Sequence, residues 1–508
     1  VPRPVNAPPS LGQPSPAHQL RDQLEEADQL RQQGKLDRAE AICNGLLRRF
    51  PDYVAALHTL GLVYLDKRNF GRALDSLVRA SMLDPANWMT LTALSLAYLR
   101  LGATAMAAQT LERALAIRPQ DAAIFASLGE IHREDREYEI AAQAYRQALA
   151  IAPDLASAAI GLALCLAAIG DNAEAAGVLE EAFRRGHRSL NLLHVMTTLP
   201  ADTVRIDMLA ALDSFAAKTG ELDAEQKNTL AFVRAAALHI AGRHAEAWQH
   251  LVAANRPLAA EHQAGLRADI ARREKTLAHL RGASWPAGSP GGEMPMSLFI
   301  LGPSRSGKTS LERLIGSLDG VRTGYENPIV ENAVRRTFQA AAIPASIHPE
   351  ELPSYLHPAF RECYRADLVQ RAGPARVFTS TLHTRINDAG LIATLIPNSR
   401  FLLMKRNRHD VALRIYMKKY LDGHAHAYDL KAIMDYLAWY DEMTDLTAEK
   451  MPGIARVLSY ERMIADSDAT LREAADFCGM RVGNVALPSL GDDRGCAGPY
   501  REYLGHSN

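Results

Sequence analysis

The sequence predicts an all-α helical repeat array followed by an α/β domain built on a parallel sheet. Three observations carry this expectation. Proline returns every 34 residues at Pro51, Pro85, Pro119 and Pro153; a Gly- and Pro-rich run at 281–296 then breaks the helical pattern; and a short apolar stretch beyond it leads directly into GPSRSGKTSLERLIGS. At 508 residues the chain is also too long to be served by a single core.

The charge balance, 57 Lys and Arg against 58 Asp and Glu, leaves a formal net charge of -1. Nothing marks the whole surface for nucleic acid or an anionic membrane, so any phosphate site must be local. Cys43, Cys165, Cys363, Cys478 and Cys496 are scattered, odd in number and without CxxC spacing. That pattern argues against a disulfide framework or zinc knuckle and fits a reducing, cytoplasmic compartment. The longest apolar run, 155–169, falls short of the roughly 20 residues of a transmembrane helix. The opening VPRPVNAPPSLGQPSPA reads as a disordered leader over 1–18 and as the interior of a longer native chain; it has neither the apolar core nor the basic flank of a signal peptide.

Other positions keep the 34-residue step. Leu60, Leu94, Leu128 and Leu162 form one series; Ala39, Ala73, Ala107, Ala141 and Ala175 a second; Ala80, Ala114, Ala148 and Ala182 a third. Small residues at fixed places let paired helices approach closely, and each proline stops one helix and opens the next unit. Gly61, Gly129 and Ala163 hold the small position of the first helix, where Ser95 departs mildly. The pattern resembles the tetratricopeptide repeat, in five copies over 19–187. The resemblance implies a concave surface for a protein or peptide partner, with a rigid spacer as the alternative. Residues 188–280 read as divergent helical repeats, within which GRHAEAWQHLVAANR at 242–256 looks like one more half repeat.

Beyond the linker at 281–296, the stretch 297–508 alternates SLFILG, ARVFTST, SRFLLMKR and GIARVLSY with helical segments. That alternation predicts a parallel sheet with its ligand at the carboxyl ends of the strands. The first strand enters a loop in which Gly302, Gly307, Lys308 and Thr309 satisfy GxxxxGK followed by Ser or Thr. Glycines at the turn let backbone N–H groups converge on an anion, the helix N-terminus adds partial positive charge, and Arg305 and Lys308 supply full charges. The loop predicts phosphate binding without naming the donor. A magnesium-dependent nucleoside triphosphatase or kinase also needs an Asp at the end of a second strand, whereas these strands end at Thr381, Arg406 and Glu461, the last only an atypical substitute.

SLFILGPSRSGKTSLERLIGS resembles the 5'-phosphosulfate loop of bacterial tetratricopeptide-repeat sulfotransferases and, more distantly, of tyrosylprotein sulfotransferases. Arg305, Ser306, Gly307 and Thr309 fall on the family's PRSGTT, while Ser304 replaces its Pro and Lys308 its first Thr. RFLLMKRNRHDVALRIYMKKY at 400–420 is similar to the second signature, a strand ending in Arg followed by DVALSIY; Arg406 takes the position of the 3'-phosphate arginine, and Arg414 stands where the family has serine. GLIATLIPNSRF at 390–401 and VLSYERMIADSDATLREAADFCGM at 457–480, which contains Tyr460, match the flanking segments more weakly.

The resemblance implies a donor, 3'-phosphoadenosine-5'-phosphosulfate (PAPS), and no obligatory metal. It implies that Gly302, Ser304, Arg305, Ser306, Gly307, Lys308, Thr309 and Ser310 surround the 5'-phosphosulfate, that Arg406 with Arg414 clamps the 3'-phosphate, and that Tyr460 belongs to the nucleotide site. Arg305 and Lys308 would meet the leaving oxygen. Glu326 in GYE falls at the family's GE motif and is the first candidate base; His383, after the ARVFTST strand, is the second. Ser380 and Thr381 stand where relatives have Asp-Lys, and Tyr500, Arg501 and Tyr503 are the remnants of a longer aromatic and basic tail. These departures keep open a catalytically inactive, nucleotide-sensing scaffold. His424 and His426 read as loop residues rather than metal ligands, and 417–420 as a solvated helix end.

Overall fold

The computed structural model describes residues 16–282, 294–341, 343, 352–420, 424–483 and 485–505. Most of the expected leader and most of the expected linker therefore lie outside the described residues. The chain divides into two compact units, 1–165 and 166–508.

In the first unit the 34-residue step becomes helix pairs: α1 (Pro16–Gln32) with α2 (Leu36–Arg49), α3 (Val54–Asp66) with α4 (Phe70–Leu83), α5 (Trp88–Arg100) with α6 (Thr104–Ile117), and α7 (Ala122–Glu134) with α8 (Tyr138–Ile151). α9 (Ala156–Ile169) crosses the division and α10 (Asn172–Arg184) keeps the period beyond it. Each periodic proline follows the end of a second helix by two residues. Ala39, Ala73, Ala107, Ala141 and Ala175 are all fully buried. A Cβ at Gly61 would stand 2.5 Å from Leu77, which shows how tightly the helices of a pair approach.

The turn inside each pair needs one left-handed residue. Gly34 (φ 73°), Arg68 (57°), Gly102 (73°), Arg136 (62°) and Gly170 (95°) occupy it, again 34 apart. An L side chain in this conformation costs about 1–2 kcal/mol, so two repeats carry strain that the others avoid.

The second unit continues with α11 (Leu190–Thr198), α12 (Met208–Lys218), α13 (Ala224–Ile240), α14 (His244–Glu261) and α15 (Gln263–Gly282). Gly242 (φ 74°) turns α13 into α14 with the repeat's own bonding, Gly242 N–H to His239 O and Arg243 N–H to Leu238 O.

Five parallel strands follow among the described residues: β1 (Met296–Leu301), β2 (Val321–Arg322), β3 (Val377–Ser380), β4 (Ser399–Lys405) and β5 (Ala455–Ser459), in the order β2-β3-β1-β4-β5. Both faces are covered, so the strands read as nearly continuous apolar runs. Leu298, Ile300, Leu402 and Met404 pack with α16 (Lys308–Ile315), α22 (Tyr460–Ala465) and α23 (Ser467–Phe477). On the opposite face Phe299, Leu301, Phe401 and Leu403 share one core with α17 (Ile329–Ala340), α18 (His357–Ala372), α19 (Ala389–Leu395), α20 (Arg408–Tyr416) and α21 (Leu430–Lys450). Phe232, Leu251 and Leu280 of α13, α14 and α15 belong to that same core, so these helices are part of the α/β body. The chain leaves β1 through α16 on one face and β4 through α20 on the other, which opens a crevice at the carboxyl ends of these adjacent strands.

Arg68→Gly should raise the stability of the repeat array by up to about 1 kcal/mol, and Gly102→Ala should lower it by a similar amount. Urea unfolding followed by helical circular dichroism reads both; an Arg68→Gly midpoint at or below wild type would remove the strain argument.

Candidate phosphate-loop site

β1 delivers residues 302–307 into a turn that only certain residues accept. A Cβ on Gly302 would lie 2.4 Å from Ser306 Oγ and 3.0 Å from Met404 O; one on Gly307 (φ 95°) would lie 2.4 Å from the Tyr460 ring. Arg305 takes a left-handed φ of 67° without being glycine, a strain typical of functional loops. Ser306 is fully buried and its hydroxyl has no hydrogen-bond partner. Ser304 Oγ lies 3.0 Å from the Tyr420 hydroxyl, Thr309 is exposed and Ser310 half-buried at the start of α16.

Lys308 is buried and donates from Nζ to Pro303 O, 3.0 Å away. Burial pulls its ammonium down to about 8, a shift that Glu326 opposes and Arg305 deepens. Glu326 is an exposed carboxylate on the turn after β2, and its charge is felt by both Lys308 and Tyr420. His383 opens a short turn (His383–Ile386) after β3 and stacks on His424 with centroids 5.1 Å apart. Burial, reinforced by Lys308, keeps its imidazole neutral at pH 7.

At the end of β4, Arg406 turns onto the loop. Its Nη1 donates to Arg305 O at 3.0 Å, Nη2 donates to Asp493 O at 2.9 Å, and the guanidinium lies 4.1 Å from the Tyr460 ring centroid; Nε is buried without a partner. Arg414 pairs with the Asp493 carboxylate at 3.4 Å. The structure thus gathers the loop residues, Arg406, Arg414 and Tyr460 at one mouth, with Glu326 and His383 bordering Lys308.

Four participants were given no role by the linear sequence. Glu312, one turn after Lys308 on α16, is fully buried, accepts from Tyr325 N–H at 2.9 Å and from the Thr379 hydroxyl, and is pushed up to about 7 by burial. Its place four residues after Lys308, on the helix face shared with Leu311 and Ile315, was the available clue. Tyr420 belongs to an imidazole and tyrosine cluster: it lies 4.1 Å from His424, and His426 stacks on Tyr436 at 3.9 Å. Asp410 anchors the C-terminal segment by accepting from Gly495 N–H at 2.8 Å and Ala497 N–H at 2.9 Å. That segment brings Asp493 to the arginines. Tyr500 and Tyr503 instead pack on Trp248, with the Tyr500 hydroxyl 2.9 Å from His239 Nδ1, so 491–497 rather than the aromatic residues reach the arginines.

The strands flanking β1 end in Ser380–Thr381 and Lys405–Arg406. Glu461, after β5, is engaged by Asn407 N–H and the Ser459 hydroxyl, both at 2.8 Å. Among the described residues no group of three or more His, Cys, Asp or Glu is placed to hold a metal ion.

This geometry defines an α/β domain with a tight glycine turn between β1 and α16, and comparison with known proteins places it further. Residues 295–483 match the model described as "Sulfotransferase family", and 24–81, 58–122 and 127–186 match "Tetratricopeptide repeat". The chain carries tetratricopeptide repeats and a distinct sulfotransferase-family domain. An uncharacterized protein of Aquifex aeolicus (strain VF5) is 26% identical over 220 residues, 40% of this chain and 27% of that protein, so the chain spans about a quarter of that relative's length. A tetratricopeptide repeat protein of Parabacteroides merdae is similar at 18% identity and TM-score 0.37, covering 47% of this chain and 92% of its own. A thermophilic one of Thermus thermophilus is similar at 22% identity and TM-score 0.31, covering 38% of this chain and 98% of its own.

Glu312 makes stability depend on pH. Burial raises its carboxyl from an ordinary 4.5 to about 7, so the folded state retains a proton that the unfolded chain releases between those values. The stabilisation is complete below about pH 4.5, declines as pH rises and is gone above about pH 7, a span of about 3 kcal/mol. Glu312→Gln should flatten this part of the thermal-unfolding profile; parallel profiles for the two proteins would refute it.

Proposed function

We propose that the α/β body is a sulfotransferase that moves a sulfuryl group from PAPS to a hydroxyl of a carbohydrate, lipid or peptide, and that the repeats recruit the acceptor or a protein partner. The observation that carries this reading is the convergence of Lys308, the orphaned Ser306 hydroxyl and Arg406 on one glycine loop, beside strand ends that offer no metal-holding Asp. The donor supplies an SO3-like group on a phosphate whose bridging oxygen gains charge as it leaves. Loop amides, Ser306, Thr309 and Ser310 would hold the 5' end, and Arg305 and Lys308 would neutralise the leaving oxygen. Arg406 and Arg414 would take the 3'-phosphate in exchange for their present contacts with Asp493. Glu326 would accept the acceptor's hydroxyl proton, and neutral His383 is the alternative base.

The complete Gly-Lys-Thr element favours a second reading, a nucleoside triphosphatase or kinase. Calorimetry separates the two: adenosine 3',5'-bisphosphate should bind more tightly than ADP with magnesium, and a preference for ADP would reject the sulfotransferase. Tight bisphosphate binding without transfer to any acceptor in a cell extract would point to an inactive scaffold. A cytoplasmic setting is proposed from the five cysteines, all free. No helix among the described residues is long and apolar enough to cross a membrane.

Arg406→Ala should weaken binding of the bisphosphate much more than that of adenosine 5'-phosphosulfate; equal losses would show that Arg406 does not serve the 3' end. Affinity for the bisphosphate should hold steady between about pH 7, above which its phosphates are fully ionised, and about pH 8, where Lys308 is still charged, and decline above that. Lys308→Ala should bind weakly with that dependence gone, as read by titration calorimetry across the pH series.

A further inference from the structure

The turn at 324–327 is built to show one side chain to the outside. Gly324, Tyr325 and Asn327 are buried, and only Glu326 is exposed. Its backbone is costly: Tyr325 is left-handed at φ 53°, and a Cβ on Gly324 would stand 2.3 Å from Thr379 O. A conformation of this kind persists only where its surroundings over-determine it. Here Gly324 N–H donates to Thr379 Oγ1 at 3.0 Å, and Thr381 N–H donates to Tyr325 O at 2.8 Å. The Asn327 amide donates to Gly324 O at 3.1 Å and Thr379 O at 3.1 Å.

The remaining support comes from outside the turn and its neighbouring strand. Glu312 Oε1 accepts both Tyr325 N–H, the amide of the strained residue, and the Thr379 hydroxyl that holds Gly324. Glu312 is fully buried with Oε2 unpartnered, a cost that a purely packing role would not require. It rises from α16 four residues after Lys308, so the helix whose first turn forms the phosphate cradle also fixes the turn that carries Glu326. We infer that Glu312 is a positioning residue, which acts through Tyr325 to hold the Glu326 carboxylate at a set place relative to Lys308 and the phosphate loop. This deepens the sulfotransferase reading and rests on it for the role given to Glu326.

The test has two arms on the full chain. Hydrogen exchange read by mass spectrometry on the peptide containing the Tyr325 amide needs no ligand. Protection should fall in Glu312→Ala and return in Glu312→Gln, which keeps an oxygen for both donors; unchanged protection in Glu312→Ala overturns the inference. The second arm follows PAPS turnover with water as acceptor, in which the sulfur–oxygen bond to the phosphate breaks, one to water forms, and the water's proton passes to Glu326. Glu312→Ala should lose about 100-fold in kcat, on the scale of misplacing a reacting group by about 1 Å, with bisphosphate Kd nearly unchanged and Glu312→Gln recovering most of the loss. Affinity and turnover falling together, with no rescue by Gln, would make Glu312 a helix-packing residue and overturn the inference. Should the wild-type chain bind no bisphosphate, the sulfotransferase reading fails by itself, and the exchange arm still decides whether Glu312 holds the turn.

Discussion

The α/β body is organised around the path of the backbone from β1 into α16. Residues 302–307 turn so sharply that Gly302 cannot carry a side chain beside Met404, Gly307 cannot carry one beside Tyr460, and Arg305 is forced into a left-handed conformation. Three contacts at the mouth are made to this path: Arg406 binds the carbonyl of Arg305, Lys308 that of Pro303, and the Tyr460 ring closes against Gly307. A loop held so firmly in one path is the kind of preorganised frame that the proposed anion site calls for.

The cations are held in check by the protein's own acceptors. Arg406 and Arg414 are engaged by Asp493 through a main-chain carbonyl and a carboxylate, and Asp493 is in turn held because Asp410 ties down 495 and 497. The signature helix α20 thus supplies an arginine for the mouth and, through Asp410, the anchor of the segment lying over it. One short stretch of sequence serves both purposes, which is why a motif match alone left Asp410 without a role.

What the sequence disclosed follows from what is periodic or local. Helix starts at 54, 88, 122 and 156 repeat the proline step, because burying an alanine at every helix crossing leaves no freedom to slip. Four strands were legible as apolar runs; β2 was not, because two residues at a sheet edge carry no pattern. The glycine turn between β1 and α16 was legible since its residues are contiguous. Glu312, Tyr420 and Asp493 were not, for their roles arise only where separate segments meet: Glu312 with Thr379, Tyr420 with Ser304, Asp493 with Arg406. The change of grammar at 281–296 marked where strands begin, but not where packing divides, since α13 to α15 turn their apolar residues into the sheet's core.

That shared core sets the smallest piece of this protein that can exist alone. Severing the chain within the Gly- and Pro-rich run would strip Phe232, Leu251 and Leu280 from Phe299 and Phe401, leaving an oily scar on the very layer that supports the crevice. The helical hairpin closed by Gly242 therefore travels with the α/β half as one block, and recombination that respects the fold must cut upstream, among the helix pairs before α9.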